Sequence, residues 1–556
     1  MEDLIVIYCK NTQSYKDVKV GSSVLEIYES FGLKMPSLLC CAKVNNKTES
    51  LGFRCYRPKD IEFIDMSDAS GMRTYVRSLC FVLSKAVWDL FPEVDINIQF
   101  PISRGYYCDL TGFVGNLGEE DIARIEDRMR FIIAQNFPFE TYSDQTTSVV
   151  ALFRSHKKEE KAQLLESVGN VYSSYNVLDG HIDHYYGDLL PSSGMLYLFK
   201  LEKYDEGLLL RVPSMDNPQV LQVLVKQDKM MRVFKEHLEL NRVLGMMNVA
   251  DLNLAHRAGT IPILIKVAEA LQEKVIAKIA EEIAAKFSQG LRLILISGPS
   301  SSGKTTFFKR LQIQLLTNCI RPVGISLDDY FLDREHTPKD EAGNYDFESL
   351  YAIDLDLFNK DLKKILKGEK VALPTFDFLT GKRIYKGNEI ELQDNTVLIM
   401  EGIHALNPAF LPDIDPDASY KIYVSALTSI SLDNHNWIPT TDNRLIRRII
   451  RDYNFRKYSA KETIDRWSSV RAGEDKWIFP FQENADAMFN SAMLYELAAL
   501  RSFAEPILSE VMPCDAAYAE ARRLLRFLSY FSHIDINELP NSSLLREFLG
   551  GSSFNY

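Results

Sequence analysis

Paired cysteines are missing from this chain. Eight cysteines are scattered over 556 residues and none forms a CxxC pair. The adjacent Cys40 and Cys41 therefore read as buried thiols in a reducing compartment. No run approaches 18 apolar residues, which leaves no expected membrane span. The opening MEDLIVIYCK lacks a basic stretch followed by an apolar core, so no secretory signal is expected there, and the cytoplasm is the consistent location. Positive charge is also in deficit: the net charge is −12. That balance argues against broad, non-specific nucleic-acid binding while leaving room for a local basic patch.

What is present is ordinary globular composition, 46% hydrophobic and 25% charged, on a chain too long for one core. Three or four domains are expected at ~150 residues each. The strongest motif is LILISGPSSSGKTT at 293–306. An apolar strand runs into Gly298, Pro299, Ser300, Ser301, Ser302, Gly303, Lys304 and Thr305, a full GxxxxGK[ST] phosphate-binding loop. The glycines allow a tight turn that aims several N–H groups at one anion. Lys304 reaches the β- and γ-phosphates from an exposed loop, and the Thr305 hydroxyl suits Mg²⁺. Thr306 opens a helix whose positive end faces the phosphates. The chain is expected to bind a nucleoside triphosphate.

The first 64 residues read as strands near 4–8, 18–20, 38–44 and 61–64, with a turn at Asn45-Asn46. Ser23 and Glu26 have capping-box spacing before a short helix that ends near Gly32. This order suits a β-grasp domain. The stretches VGSSVLEIYESFGL and AKVNNKTESLGFRCYRPKDIEFID resemble the TGS domain of threonyl-tRNA synthetases. AVWDLFPEV, PISRGYYCD, EEDIARIEDRM and YYGDLLPSSG resemble the second N-terminal domain of that family. The resemblance implies an editing site built from an HxxxH and a CxxxH pair, yet those positions here are Arg77, Phe81, Tyr185 and Leu189. A domain pair retained for binding or assembly, without zinc or editing chemistry, is expected. His181 and His184 read as surface residues. From 264 to 287 apolar residues recur every three or four positions, which predicts a core or bridging helix ending at Gly290.

From Leu291 strands and helices alternate as in a doubly wound parallel sheet. Asp328 and Asp329 follow one strand, and Glu401 ends another, where a base or Mg²⁺ ligand belongs. Arg444, Arg447, Arg448 and Arg451 share one helical face, followed by Arg456. Such a stripe is usually solvated; here it could neutralise a triphosphate. Residues 442–477, with the flexible point Arg471-Ala-Gly-Glu474, read as a mobile lid.

SGPSSSGKTT, ISLDDYF, NYDFESLYAID, LPTFDFLTGKR, VLIMEGIHAL and NRLIRRIIRD occur in the order and near the spacing of the uridine kinase and phosphoribulokinase family, which residues 291–490 resemble. The resemblance implies ATP as substrate and Mg²⁺ as cofactor. It makes Gly298, Ser300, Ser301, Ser302, Gly303, Lys304, Thr305, Thr306 and Arg447 the ATP-binding set. Asp328 becomes the base, assisted by Lys304, Arg448 and Arg451. Thr305, Asp328 and Glu401 become the metal site. Asp346 would bind the ribose, Phe376 and Phe378 the base, and Arg456 the substrate side. Gly381 stands at or near the position of a family histidine that reads the pyrimidine, so base selectivity is expected to be relaxed.

The expected architecture is multidomain α+β and α/β. It comprises a TGS-like β-grasp unit (1–64), a synthetase-like α+β unit (65–228), a helical linker (229–290), a P-loop kinase domain (291–510) and a C-terminal helical extension (511–556) with a loose end. The expected activity is ATP-dependent phosphorylation of a ribonucleoside 5′-hydroxyl. A phosphoribulokinase- or pantothenate kinase-like acceptor is one alternative. An RNA- or tRNA-binding regulator with a nucleotide-switch domain is the other. The expected assembly is a homo-oligomer, off the membrane, with nucleic acid left open as a partner of the N-terminal domains.

Overall fold

A computed structural model describes residues 3–339, 343, 345–377, 380–415 and 418–556. Strand alternation sets the first unit. In β1 (Leu4–Cys9) Ile5, Ile7 and Cys9 turn inward while Leu4 and Val6 stay exposed. β2 (Ser14–Lys19), α1 (Val24–Phe31), β3 (Leu39–Val44), β4 (Lys47–Glu49) and β5 (Lys59–Asp65) follow. The sheet order is β2-β1-β5-β3-β4, with β1 and β5 parallel, a β-grasp arrangement. The capping box forms: Glu26 N–H donates to Ser23 Oγ at 3.2 Å, and Ser23 N–H donates to the Glu26 carboxylate at 2.7 Å. Asn45 and Asn46, both at positive φ, turn β3 into β4.

The second unit is built on the buried helix α2 (Ala69–Leu90). Around it lie β6 (Asp95–Ile102), β7 (Gly105–Thr111), α3 (Glu119–Gln135), β8 (Glu140–Gln145), α4 (Thr146–Ser155), α5 (Glu159–Val168), β9 (Tyr172–Leu178), β10 (His181–Asp183), β11 (Lys200–Tyr204) and β12 (Gly207–Arg211). They form two antiparallel sheets, β11-β12-β7-β6 and β10-β9-β8. Phe81 and Tyr185 meet at 5.2 Å between ring centroids, and with Leu189 they join the apolar core. His181 and His184 are buried rather than on the surface. His184 Nδ1 donates to the Ser174 carbonyl at 2.9 Å, and its Nε2 lies 3.0 Å from the Tyr530 hydroxyl.

Helices α6 (Asp228–Leu244), α7 (Val249–Arg257) and α8 (Ile261–Phe287) follow, and α8 is the expected core or bridging helix. Each has an apolar face that a free linker would leave in water. Phe234 of α6 stacks on Phe100 of β6 at 3.8 Å, and its cluster continues to Leu293 and Leu295. Ile276, Ile279 and Ile283 of α8 pack with Ile294, Ile296 and Phe307. The linker is core shared between the two halves.

The remaining elements are β13 (Leu293–Ser297), α9 (Lys304–Thr317), β14 (Arg321–Ser326), α10 (Leu355–Leu366), β15 (Val371–Ala372), β16 (Thr375–Asp377), β17 (Lys382–Ile384), β18 (Glu389–Ile390), β19 (Thr396–Glu401), β20 (Ser419–Ser425), α11 (Thr440–Arg456), α12 (Ala460–Trp477), β21 (Ala487–Asn490), α13 (Glu496–Ser509), α14 (Tyr518–Leu528) and α15 (Arg546–Leu549). The sheet β14-β19-β13-β20-β21 is parallel throughout. The C-terminal stretch is not an appendage, since Leu524, Phe527 and Phe548 are fully buried. No helix among the described residues is long and apolar enough to cross a membrane.

A buried charge network fastens the second unit to the segment between β20 and α11. Lys161 of α5 contacts Asp183 at 2.6 Å and Asp433 at 3.0 Å, and His435 Nδ1 contacts Asp183 at 2.6 Å. Burial opposes the Lys161 charge, but Asp183 and Asp433 raise its pKa above the ordinary lysine value. Lys161→Met strands two buried carboxylates and is expected to cost about 3–5 kcal/mol. The denaturant midpoint of the full chain measures this. An unchanged midpoint would show that the network does not fasten the halves.

Candidate active site

The phosphate loop is held by close packing. A Cβ on Gly298 would lie 2.0 Å from the Val424 carbonyl, and one on Gly303 would lie 2.6 Å from Leu544. Ser301 and Gly303 take positive φ of 58° and 83°. Helix α9 then begins at Lys304, so its first N–H groups face the loop. The Ser301 and Ser302 hydroxyls are buried and have no hydrogen-bond partner among the described residues. Orphaned donors in such a loop fit an anion. Lys304 is only 9% exposed, against the expectation of an exposed loop residue. The loop wraps its stem, and Nζ donates to the Pro299 carbonyl at 3.2 Å.

Two acids stand at the carboxyl ends of neighbouring strands. Ser326 of β14 is in register with Glu401 of β19, and Gly402 leaves the space that Leu327 fills. Burial raises the Asp328 pKa, opposed first by Lys304 and then by Arg456 and Arg451. Asp329 instead accepts from Phe376 N–H at 3.2 Å, which makes it a brace for β16. Burial pushes Glu401 up to about 7, with Lys304 pulling it down and Asp328 pushing it up. Two carboxylates and a hydroxyl are hard oxygen donors that fit a divalent cation, and Thr305, Asp328 and Glu401 would hold it. A second group of ligand atoms within 4.8 Å of one another, Asp333, Glu335 and His336, is largely exposed.

The arginine stripe divides by depth. Arg444 and Arg447 are fully buried beneath the loop. Arg444 grips both oxygens of Glu474 and donates to the Ser300 carbonyl at 3.1 Å. Burial opposes the Glu474 charge, yet Arg444 and Arg471 hold its pKa below the usual value. Arg447 grips Glu496 and donates to the Ser301 carbonyl at 3.3 Å and the Ser491 carbonyl at 3.0 Å. These bonds occupy Arg447, so it braces the loop from behind rather than facing the phosphates. Arg448 reaches the Ser300 hydroxyl at 2.8 Å. Arg448, Arg451 and Arg456 converge on Asp452 at 3.3, 2.8 and 3.6 Å.

The lid expectation for 442–477 does not survive. Leu445, Ile446, Ile449 and Ile450 anchor α11 in the core, and Glu474 of α12 accepts from Ser300 N–H at 3.1 Å. A segment bonded this way is a support.

On the acceptor side, Asp346 accepts from Glu348 N–H at 3.2 Å. Phe376 is 8% exposed and packs against Phe331, so it is core rather than an open ring face. Phe378 lies outside the described residues. Gly381 has φ +68°, and a Cβ there would lie 2.9 Å from the Arg334 side chain. The turn itself therefore demands glycine. Sequence reasoning missed Glu348, whose carboxyl burial pushes up to about 7 with Arg448 opposing. The only signal was its place beside Asp346 in NYDFESL.

The expected loose C-terminus is docked. Glu547 of α15 accepts from Thr306 N–H at 3.2 Å and from the Thr306 hydroxyl at 2.6 Å, and the Tyr556 hydroxyl lies 2.8 Å from the same oxygen. A carboxylate thus occupies donors assigned to ATP.

A parallel sheet with a phosphate loop after one strand and acids after its neighbours defines a P-loop phosphotransferase architecture. Residues 293–497 match the Phosphoribulokinase / Uridine kinase family. A uridine kinase of Ureaplasma urealyticum serovar 10 is 29% identical over 195 residues, 35% of this chain and 85% of that protein. One from Ureaplasma parvum serovar 3 is 30% identical over the same length, again covering 85% of its chain. One from Staphylococcus aureus is 30% identical, with 84% of its chain covered. The chain belongs to this family through its kinase domain, and residues 1–292 lie outside the matched region.

Glu547→Ala frees both Thr306 donors. Such charged hydrogen bonds are worth about 1.5–3 kcal/mol, so KM for ATP is expected to fall about tenfold with kcat unchanged. Steady-state kinetics decide, and an unchanged KM would show that the tail does not compete. Glu401, whose pKa burial pushes up to about 7, is expected to release a proton when Mg²⁺-ATP binds. Calorimetry in buffers of different ionisation enthalpy should record less proton release from Glu401→Gln.

Proposed function

We propose that the protein transfers the γ-phosphoryl group of ATP to the 5′-hydroxyl of a ribonucleoside. The convergence of Lys304, Asp328 and Glu401 at one carboxyl edge carries this reading. Family membership supports phosphoryl transfer, and the names of the relatives support a nucleoside acceptor. The orphaned loop hydroxyls and the first N–H groups of α9 bind the phosphates, and Lys304 supplies charge to the γ-group. Magnesium, when bound by Thr305, Asp328 and Glu401, adds positive charge to the phosphates. Asp328 takes the proton of the attacking hydroxyl. The new oxygen–phosphorus bond forms as the bond to the β–γ bridging oxygen breaks, and ADP leaves. Arg448 and Arg451 balance charge on the transferring group. Asp346 binds the ribose hydroxyls.

Purified protein with labelled ATP and a panel of nucleosides, sugar phosphates, pantothenate and tRNA tests the acceptor. Label is expected on uridine and cytidine and on at least one further nucleoside; label on a sugar phosphate or pantothenate alone would replace the nucleoside. Asp328→Asn is expected to lower kcat by about 10²–10⁴ while ATP still binds. Because burial raises the Asp328 pKa, its basic form disappears earlier as pH falls. The acid limb of kcat/KM should therefore lie above that of an ordinary aspartate. A 2′-deoxy acceptor is expected to lose about one to two decades in kcat/KM through the unsatisfied Asp346. Equal rates on both sugars would remove Asp346 from the site.

A further inference from the structure

A second concentration of positive charge lies far in sequence from the phosphate loop. Between α2 of the second unit and α14 of the C-terminal stretch is a cleft of about 610 Å³, counted to its open mouth. Arg73, Arg77, Arg522, Arg523 and Arg526 line it, on a chain of net charge −12. Two of the five are neutralised: Arg73 contacts Glu520 at 3.2 Å, and Arg523 contacts Glu520 at 2.6 Å and Asp442 at 2.7 Å. Arg77, Arg522 and Arg526 have no carboxylate ion pair among the described residues.

Arg77 is set in place by the fold. Its Nη1 donates to the Asp188 carbonyl at 2.7 Å, and its guanidinium lies 5.4 Å from the centre of the Tyr186 ring. Gly187 makes the room: a Cβ there would fall 2.3 Å from the guanidinium carbon. Burial lowers the Arg77 pKa. Tyr186 and Asp188 oppose that, and the like charges of Arg73 and Arg526 add to it. Crowded guanidinium groups facing a cleft are relieved by an anion, and arginine forks match phosphate oxygens best.

We propose that this cleft binds a small phosphate-bearing anion, a diphosphate group either free or carried by a mononucleotide. Three arginines without an ion-paired carboxylate suit the charge of a diphosphate, with Asp188 in the same lining offsetting part of the Arg77 charge. The cleft is a shallow surface site open to solvent, which suits a small anion rather than a folded strand. Arg522 and Arg526 lie exposed on α14, so they can close on a ligand that Arg77 holds from below.

The test is calorimetry on the full chain with inorganic pyrophosphate, against the double variant Arg522→Ala/Arg526→Ala. Both residues are exposed, so folding should persist, and KM for ATP serves as the control. The wild type is expected to bind one more pyrophosphate per chain than the double variant, at equal KM for ATP. Arg77→Lys should weaken that extra site at least tenfold, because an ammonium cannot make the forked contact. Uridine diphosphate as a second titrant distinguishes the sources: tighter binding than pyrophosphate assigns a nucleotide, and weaker binding assigns the free anion. Equal stoichiometry in wild type and double variant would overturn the proposal. So would binding of a short RNA hairpin at the cleft when neither small anion binds.

Discussion

Two buried guanidinium–carboxylate pairs, Arg444–Glu474 and Arg447–Glu496, hold the phosphate loop in shape. Removing a charge from water is costly unless its partner is close and its remaining protons are bonded. Here Nη1 of Arg444 donates to the Ser300 carbonyl and Nη1 of Arg447 to the Ser301 carbonyl, and Glu474 takes Ser300 N–H. The loop is therefore fixed on its outer side by α11, α12 and α13. A glycine-rich turn alone would be floppy; this one is preorganised, which is what electrostatic catalysis of phosphoryl transfer requires.

The elements of the kinase sheet were legible because their signals are local. A run of apolar residues, a glycine turn and a helix start can be read within 20 residues, as can the Ser23–Glu26 capping box. The partners of the charges were not legible, because they are tertiary. Glu474 and Glu496 lie 30 and 49 positions from their arginines, and Glu547 lies 241 from Thr306. The arginine periodicity was visible, but a shared helical face does not say which residues point into the core. The reading of 442–477 as a lid failed for that reason. Segment 229–290 was legible as a core or bridging helix, but its partners were not, since an amphipathic face names no partner.

The N-terminal half and the kinase sheet share one framework. Lys161 meets Asp433 across 272 positions, and Phe234 links the β6 sheet to the strand that enters the phosphate loop. The C-terminal stretch closes the circuit. Its α14 forms one wall of the arginine cleft, and its α15 puts Glu547 on the helix that begins at Lys304. The last 40 or so residues of the chain thus line the arginine cleft and also reach the helix behind the phosphate loop.

In the proposed reaction one site moves phosphate from ATP to a nucleoside hydroxyl. Phosphorus NMR of a reaction with uridine measures this directly, since it follows ADP and the phosphorylated product together. One nucleoside 5′-monophosphate for each ADP formed, with its phosphorus coupled to the 5′-methylene protons, is the predicted result. ADP accompanied by inorganic phosphate alone, with every nucleoside tested left unmodified, would contradict it.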